Sequence, residues 1–219
     1  MTPNPILKVL SSIREHGVQG LLIGGQACVL YGAAEFSRDL DLVILLSPAN
    51  LDRLHSLLSR LEGEVVAVPP FAPDYLERGH FVHFRCGRSD VVGVRVDVAT
   101  RLRGVPPFPE LWERRQTFAL PDVGPVDVMG LSDLVASKKT QRDKDWVMLL
   151  EEAAARHPAA AHEWRGRRPL LASAMSGDRG ELERGLVAEM ERERDANRAY
   201  WAPLRRELAE LRRERPNRG

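Results

Sequence analysis

The sequence predicts an α/β fold of the α+β type: a small mixed β-sheet with flanking helices, followed by an α-helical C-terminal region. Three observations lead to this fold class. Apolar runs of strand length alternate with amphipathic helical segments over the first part of the chain. The later apolar runs are separated by short turns, which is typical of antiparallel strands. From residue 131 onward the apolar residues recur at helical spacing. We therefore expect a core over residues 1–129 and a helical region over residues 130–219.

The first half of the predicted core alternates helices with strands. Ile6, Val9, Leu10 and Ile13 lie at helical spacing, and Gly17 is expected to end that first helix. The elements predicted next are a strand over Val18–Ile23, a helix over Gln26–Gly32, a strand over Leu40–Leu46, a helix over Leu51–Leu61 and a strand over Val65–Val68.

The second half of the predicted core consists mainly of strands, after a loop over residues 69–79. Phe81–Cys86 and Val91–Val98 are expected to form two antiparallel strands joined by a turn. Thr117–Leu120 and Val126–Met129 are expected to form a closing hairpin.

The C-terminal region is predicted to be mainly helical, with a looser connection over residues 165–180. Leu131–Thr140 and Trp146–Ala155 form two helices in this prediction, and residues 181–213 form a charged helical tract with an apolar stripe. Pro203 is expected to kink or divide that tract, because proline removes a helical hydrogen bond.

The composition excludes several classes of function. The net charge of +1 gives no global field for nucleic acid or membrane, so any such binding requires a local patch. No apolar run approaches the length that crosses a bilayer, and the N-terminal residues lack the regions of a signal peptide. Cys28 and Cys86 are the only cysteines, which favours a reduced interior. We therefore expect a cytoplasmic protein without a membrane partner.

The segment from Leu21 to Ile44 reads LLIGGQACVLYGAAEFSRDLDLVI and contains the most informative pattern. Asp39 and Asp41 alternate with apolar residues, so on a strand their carboxylates lie on one face. Two adjacent carboxylates repel each other, and a hard divalent cation such as Mg²⁺ or Mn²⁺ relieves that repulsion. Gly24–Gly25, between a strand and a helix, allow backbone N–H groups to approach a phosphate. The pattern indicates a site for a metal–nucleoside triphosphate.

This segment resembles the signature of the nucleotidyltransferase superfamily, which has the polymerase-beta-like fold. In that signature a Gly-Gly or Gly-Ser turn precedes an acidic pair, and here thirteen residues, 26–38, separate the two parts. The alternative is an ordinary α/β domain with a tight turn and a charged loop, which leaves the paired aspartates unexplained. The resemblance covers residues 18–155 and implies metal ligation by Asp39 and Asp41.

Asp97 is the expected third carboxylate, because the resemblance implies a catalytic acid on a later strand. The valines around it are expected to face the core, which leaves Arg95 and Asp97 on the opposite face. There Asp97 would bind metal or accept a proton. The alternative is an exposed aspartate paired with Arg95 or Arg101.

Ser37 and Arg38 directly precede the acidic pair and are expected to reach phosphate oxygens, with Arg38 the stronger candidate. Alternatively, Arg38 neutralises the aspartates. His80 and His83 lie on opposite faces of a strand, so they do not share a metal there; a structural role or a substrate contact is expected for them.

Residues 133–146, DLVASKKTQRDKDW, carry a second resemblance, to a helical signature of small nucleotidyltransferases that include the abortive-infection toxin type. The resemblance implies that Lys138 contacts the triphosphate, with Lys139 as the alternative, and that Lys144 and Asp145 support the site. Only four of the 32 basic residues are lysines, and three of them lie within seven positions here. The alternative is that this segment forms a basic helix face that is exposed to solvent.

The resulting functional prediction is Mg²⁺-dependent transfer of a nucleoside monophosphate from a triphosphate to an acceptor hydroxyl, with release of pyrophosphate. The acceptor is left open between the 3′ end of a tRNA, a protein and a small molecule. A nucleotide-binding or partner-binding module without turnover and the toxin of a toxin–antitoxin pair are the alternatives. The C-terminal helices are expected to cap the acceptor pocket, or to mediate self-association or binding of a cognate antitoxin.

Overall fold

The computed structural model describes residues 4–32, 37–138, 150–151, 154–155, 158–166 and 169–214, the side chains of residues 135, 138, 160 and 164 excepted. The chain divides into two compact units. The first comprises Met1–Ser137 with Pro203–Gly219, and the second comprises Lys138–Ala202. This division falls later than residue 129, and the end of the charged helical tract belongs with the first unit.

The first unit contains a seven-stranded mixed sheet, which confirms the predicted fold class. Its strands are β1 (Gly20–Ile23), β2 (Asp39–Ile44), β3 (Gly63–Val65), β4 (Val82–Cys86), β5 (Arg95–Ala99), β6 (Gln116–Leu120) and β7 (Gly124–Val128). Their spatial order is β3-β4-β5-β2-β1-β7-β6. The pairs β2/β5 and β1/β7 are parallel and the others are antiparallel. The helices are α1 (Pro5–Glu15), α2 (Gly24–Leu30), α3 (Pro48–Arg60), α4 (Pro73–Arg78), α5 (Phe108–Glu113) and α6 (Leu131–Lys138).

The two longer helices of the N-terminal half begin with side-chain caps that the sequence supplies. The Asn4 side chain accepts a hydrogen bond from the N–H of Ile6, and the Ser47 hydroxyl accepts one from the N–H of Asn50. Each cap is followed by a proline, whose missing N–H costs nothing in the first turn of a helix. The leucine stripe predicted for α3 is buried, with Leu54 and Leu57 fully inaccessible.

Strand β5 begins at Arg95, whereas the alternation of residues predicts a strand from Val91. The N–H of Val91 donates to the carbonyl of Arg88, and the N–H of Gly93 to the carbonyl of Cys86, both at 2.9 Å. Gly93 has a φ of +81°, a conformation that favours glycine, so the chain turns here instead of extending. Val91 is nevertheless buried. A buried residue of this segment is apolar like a strand residue, and this explains why the sequence pattern predicts a longer strand.

Strand β3 covers Gly63–Val65, whereas the sequence predicts Val65–Val68. Val66 still donates its N–H to the carbonyl of His83 at 3.0 Å. The two prolines that follow, Pro69 and Pro70, have no N–H to donate, and the pairing ends before them.

Two short helices, α4 and α5, lie in proline-rich segments for which the sequence predicts loops or breaks. Each has a proline in its first turn, where a helix tolerates it. Each is fixed to the core by one buried leucine, Leu76 in α4 and Leu111 in α5. Tertiary burial therefore gives these segments a helical conformation that their composition does not indicate.

The described part of the second unit is helical. Its helices are α7 (Pro158–Trp164), α8 (Leu170–Ser176) and the first part of α9 (Arg179–Glu214). Its small core contains Leu150, Leu171, Leu182 and Leu186. Pro203 lies inside α9, which continues to Glu214, and the boundary between the two units falls at this proline. Among the described helices, none is both long and apolar enough to cross a bilayer.

Within the first unit, the last part of α9 is bound through Glu207 to α4 and to the connection between α4 and β4. Nε2 of His80 lies 2.6 Å from Oε2 of Glu207, and Nη2 of Arg78 donates to Oε1 at 2.5 Å. The His80 ring is almost fully buried, which agrees with its predicted structural role. Hydrogen bonds from Arg78, and then from His80, lower the pKa of the Glu207 carboxyl.

Glu207→Ala is expected to lower the free energy of unfolding by about 1–3 kcal/mol, because the buried His80 ring loses its acceptor. Since the pKa of Glu207 is lower in the folded protein, its stabilisation is present at neutral pH. It is lost as the pH falls from the ordinary carboxyl pKa, about 4.3, through the folded value. Urea denaturation at several pH values measures this. Glu210→Ala, an exposed position on the same helix, is the control, and an equal loss in both variants contradicts the prediction.

Candidate active site

The predicted Gly-Gly turn joins β1 to α2 and lies directly against Asp41. Gly24 has a φ of +67°, and a Cβ atom at this position would lie 1.8 Å from Oδ2 of Asp41. A Cβ atom at Gly25 would lie 2.4 Å from the hydroxyl oxygen of Ser37. The carboxylate of Asp41 and the hydroxyl of Ser37 therefore occupy the space that the two missing side chains leave. The structure thus brings together both halves of the sequence motif.

The three predicted carboxylates lie on one face of two neighbouring strands. Strands β2 and β5 are parallel, and their register places Asp41 opposite Asp97 and Asp39 opposite Arg95. Residues paired in this way point to the same face of the sheet. Leu40 alternates with the aspartates, faces the other side and is fully buried. Asp97 therefore shares the aspartate face, which we define as the sheet face that carries Asp39, Asp41 and Asp97.

Asp97 is held on this face by an arginine and a histidine. Nε and Nη2 of Arg95 donate to Oδ1 and Oδ2 of Asp97 at 3.0 and 2.9 Å. Nδ1 of His83, on the adjacent β4, lies 2.8 Å from Oδ1 of Asp97. Asp97 is only 7% exposed. Asp97 is therefore paired with Arg95, as the alternative interpretation predicts. In contrast to that interpretation, Asp97 is buried and not exposed.

Arg95 offsets part of the negative charge of the site. Its two hydrogen bonds to Asp97 raise the pKa of the Arg95 guanidinium, and the negative charges of Asp97, Asp39 and Asp41 add to this. In the described part of the chain, no three His, Cys, Asp or Glu side chains are grouped as ligands of one metal ion. This agrees with the arrangement seen here, in which Arg95 occupies both oxygens of Asp97.

Arg95 and His83 are site residues that the sequence argument named only among its alternatives. Arg95 lies two positions before Asp97, and strand alternation is a signal that places it on the same face. His83 is brought to Asp97 by the antiparallel register of β4 and β5. No sequence spacing indicates that register, because a turn of eight residues, 87–94, separates the two strands.

Ser37 and Arg38 precede β2, as the sequence predicts. The carbonyl of Ser37 accepts a hydrogen bond from Nε2 of Gln26 at 2.8 Å, and its hydroxyl donates to the carbonyl of Asp39 at 3.3 Å. Gln26, in α2, is thus a further residue that holds this segment against the glycine turn. Arg38 is exposed at the start of the strand.

The lysine-rich segment is only partly described. Helix α6 begins at Leu131, and the carboxylate of Asp133 in its first turn accepts a hydrogen bond from Nη2 of Arg114 at 2.9 Å. Lys138 is the last residue of α6. Its side chain, together with Lys139, Lys144 and Asp145, lies outside the described residues, so the roles of these four residues remain predictions.

Comparisons with known proteins add structural similarity at low identity. No protein-family model and no curated protein sequence matches the chain. One similar structure is TM1012 of Thermotoga maritima, named as a candidate nucleotidyltransferase. The two chains are 12% identical, the match covers 74% of this chain and 91% of that chain, and the TM-score is 0.41. Another is the antibiotic-resistance factor ANT(2'')-Ia, which is 14% identical. The match covers 90% of this chain and 94% of that chain, and the TM-score is 0.40.

A third similar structure is JHP933 from Helicobacter pylori, with 12% identity over 89% of this chain and 94% of that chain and a TM-score of 0.34. All three TM-scores are low. The function is therefore inferred from the residues of this chain and not from these proteins.

Proposed function

We propose that this chain is a metal-dependent nucleotidyltransferase, which transfers a nucleoside monophosphate from a triphosphate to an acceptor hydroxyl and releases pyrophosphate. One observation carries the proposal: Asp41 packs on Gly24 of the β1–α2 turn, while the β2–β5 register sets Asp97 beside it. The close packing of an aspartate on a glycine at a strand–helix junction, with a second aspartate on the neighbouring strand, supports chemistry on a metal–triphosphate. The acceptor, a toxin-like role and a cognate antitoxin remain predictions from the resemblance.

The chemical type of the three aspartates suits a hard divalent cation, although in the described part of the chain they are not grouped around one ion. Asp39, Asp41 and Asp97 supply carboxylate oxygens, the ligands that Mg²⁺ and Mn²⁺ prefer. When bound, such a cation neutralises triphosphate oxygens and lowers the pKa of an acceptor hydroxyl. Asp97 must then give up at least one hydrogen bond to Arg95, and the released guanidinium remains on the aspartate face.

In the proposed reaction the protein's own groups position the substrates. The backbone N–H groups at Gly24 and Gly25 bind a phosphate, and Arg38 and Lys138 neutralise its charge. Asp97, the most buried carboxylate of the three, accepts the proton of the attacking hydroxyl or binds metal. His83 keeps the Asp97 carboxylate oriented through the contact of its Nδ1 atom with Oδ1 of Asp97.

A direct assay tests the proposal. The protein is incubated with each of the four α-labelled nucleoside triphosphates, Mg²⁺, total tRNA and total protein, and the labelled band is identified. Pyrophosphate release is measured in parallel. We expect label transfer with one triphosphate, and none with Asp41→Asn. Binding of a triphosphate without transfer or pyrophosphate release would instead support the alternative, a nucleotide-binding module that does not turn over. The hydrogen bonds between Arg95 and Asp97 favour this alternative.

Mg²⁺ is expected to raise the melting temperature of the protein, because a ligand that binds only the native state stabilises it. Asp39→Asn is expected to remove most of this gain, since the variant loses one of the clustered charges that favour the cation. Differential scanning calorimetry with and without EDTA measures the effect. A full Mg²⁺ response in the variant would remove Asp39 from the ligand set.

Lys138→Ala is expected to lower the transfer rate by a factor on the order of 10², because the lost ammonium neutralises charge in the transition state. Lys139→Ala is the matched control: successive helical residues point about 100° apart, so only one of the two faces the nucleotide. Single-turnover kinetics measures both variants. Equal, small losses would identify the segment as a solvated basic face and shift the role to Arg38.

A further inference from the structure

The first unit contains a cavity of about 330 Å³, which is lined by α1, α3, α5, β1, β2 and β7. This volume lies at the lower end of the range for sites that bind small organic molecules. Much of its lining is apolar and buried, including Leu22 of β1, Leu42 of β2 and Val126 of β7. Trp112 of α5 adds a half-buried aromatic ring. The cavity therefore suits the apolar body of a ligand.

Two arginines, Arg14 of α1 and Arg53 of α3, also line this cavity. Nη1 of Arg53 donates to the carbonyl of Gly17 at 3.3 Å, and the guanidinium carbon of Arg14 lies 3.5 Å from the position that a Cβ atom of Gly124 would take. Within the part of the chain that the structure describes, neither guanidinium forms an ion pair with an acidic residue. Two positive charges are thus available to a ligand.

One carboxylate, that of Asp127, lies in the same lining, but its charge is already compensated. Oδ1 of Asp127 accepts hydrogen bonds from Nε of Arg115 at 3.1 Å and from the hydroxyl of Thr117 at 2.6 Å. Asp127 thus belongs to the polar surface of the β6–β7 hairpin. The uncompensated charge of the cavity is positive.

This cavity is separate from the candidate active site. Leu42 follows Asp41 on β2, and successive strand residues point to opposite faces of the sheet. Leu22 is the register partner of Leu42, so both leucines face away from the aspartate face. A molecule in the cavity therefore lies across the sheet from Asp41 and is neither the nucleotide nor the acceptor of the proposed reaction.

We propose that this cavity binds a small aromatic carboxylate as a second ligand of the protein. The planar carboxylate matches the planar guanidinium groups of Arg14 and Arg53, with which it forms charge-assisted hydrogen bonds. The ring packs against Trp112 and the two leucines. Leu42 directly follows Asp41 on β2, and Leu22 lies on β1, two residues before Gly24. The ligand therefore contacts these strands on the sheet face opposite the aspartates.

Isothermal titration calorimetry with 2-naphthoate and its neutral isostere 2-naphthamide tests the proposal. We expect the wild-type protein to bind the carboxylate at least tenfold more tightly than the amide. The double variant Arg14→Gln/Arg53→Gln is expected to lose this preference. Arg60→Gln, an exposed arginine on the same helix as Arg53 and outside the cavity lining, is the matched control and should retain it. Circular dichroism verifies that each variant is folded.

NMR spectra of the same titration locate the ligand. The amides of Gly17 and Gly20 and the indole N–H of Trp112 are expected to shift, and those of Gly24 and Gly25 to remain within the noise. The proposal is overturned if the carboxylate does not bind saturably, if acid and amide bind equally, or if the double variant keeps the preference. Shifts confined to the glycine turn overturn it as well.

Discussion

Asp97→Asn is expected to lower the rate of nucleotidyl transfer by a factor on the order of 10²–10³, with little change in folding stability. Asparagine has the shape of aspartate, but it carries no charge for a cation and does not accept the acceptor's proton. Arg95 then loses its anionic partner. Its side chain is 40% exposed, however, so water replaces much of that interaction. Single-turnover kinetics and urea denaturation measure the two effects.

Asp127→Asn provides a matched control for this variant. Asp127 is also a strand aspartate that accepts a hydrogen bond from Nε of an arginine, Arg115, at 3.1 Å. It lies on β7, which β1 separates from the strand of Asp39 and Asp41, and should leave the transfer rate unchanged. A similar rate in both variants would mean that Asp97 serves only to hold Arg95. Loss of transfer together with a large loss of stability would assign Asp97 a structural role.

Gly24→Ala is expected to reduce transfer by a factor on the order of 10² or more. The added Cβ atom would lie 1.8 Å from Oδ2 of Asp41, so the carboxylate must move by about an ångström or more, and displacements of that size cost rates of this order. The positive φ adds a backbone cost of about 1–2 kcal/mol for alanine. Transfer kinetics, Mg²⁺ titration and thermal unfolding together measure the result.

Gly32→Ala separates the two causes. Gly32 has a similar φ of +74°, but among the described residues a Cβ atom there would have no neighbour within 4 Å. This variant should therefore show the backbone cost alone, with its transfer rate and Mg²⁺ response intact. If Gly32→Ala impairs transfer as much as Gly24→Ala does, strain in the turn and not displacement of Asp41 is responsible. If neither variant impairs transfer, the close packing of Gly24 on Asp41 has no catalytic importance.

The sequence by itself determined the fold class and the motif that connects Gly24 with Asp41. Both depend on local periodicity: strand alternation places Asp39 and Asp41 on one face, and helical spacing predicts the stripe of α3. It also placed Asp97 on the polar face of its strand, because Val96 and Val98 beside it face the core and are fully buried. These features follow from residues within a few positions of one another.

Only the tertiary structure decided which strands are neighbours and in what register. The parallel pairing of β2 with β5 sets Asp41 opposite Asp97, and the antiparallel pairing of β4 with β5 brings His83 to the same carboxylate. Parallel strands are joined by long connections, whose length leaves the register open, so sequence spacing does not reveal it. The cavity at Arg14 and Arg53 likewise exists only because distant helices pack on one sheet face. Local sequence determines the conformation of each helix and strand, whereas burial of the whole core determines which of these elements pack together.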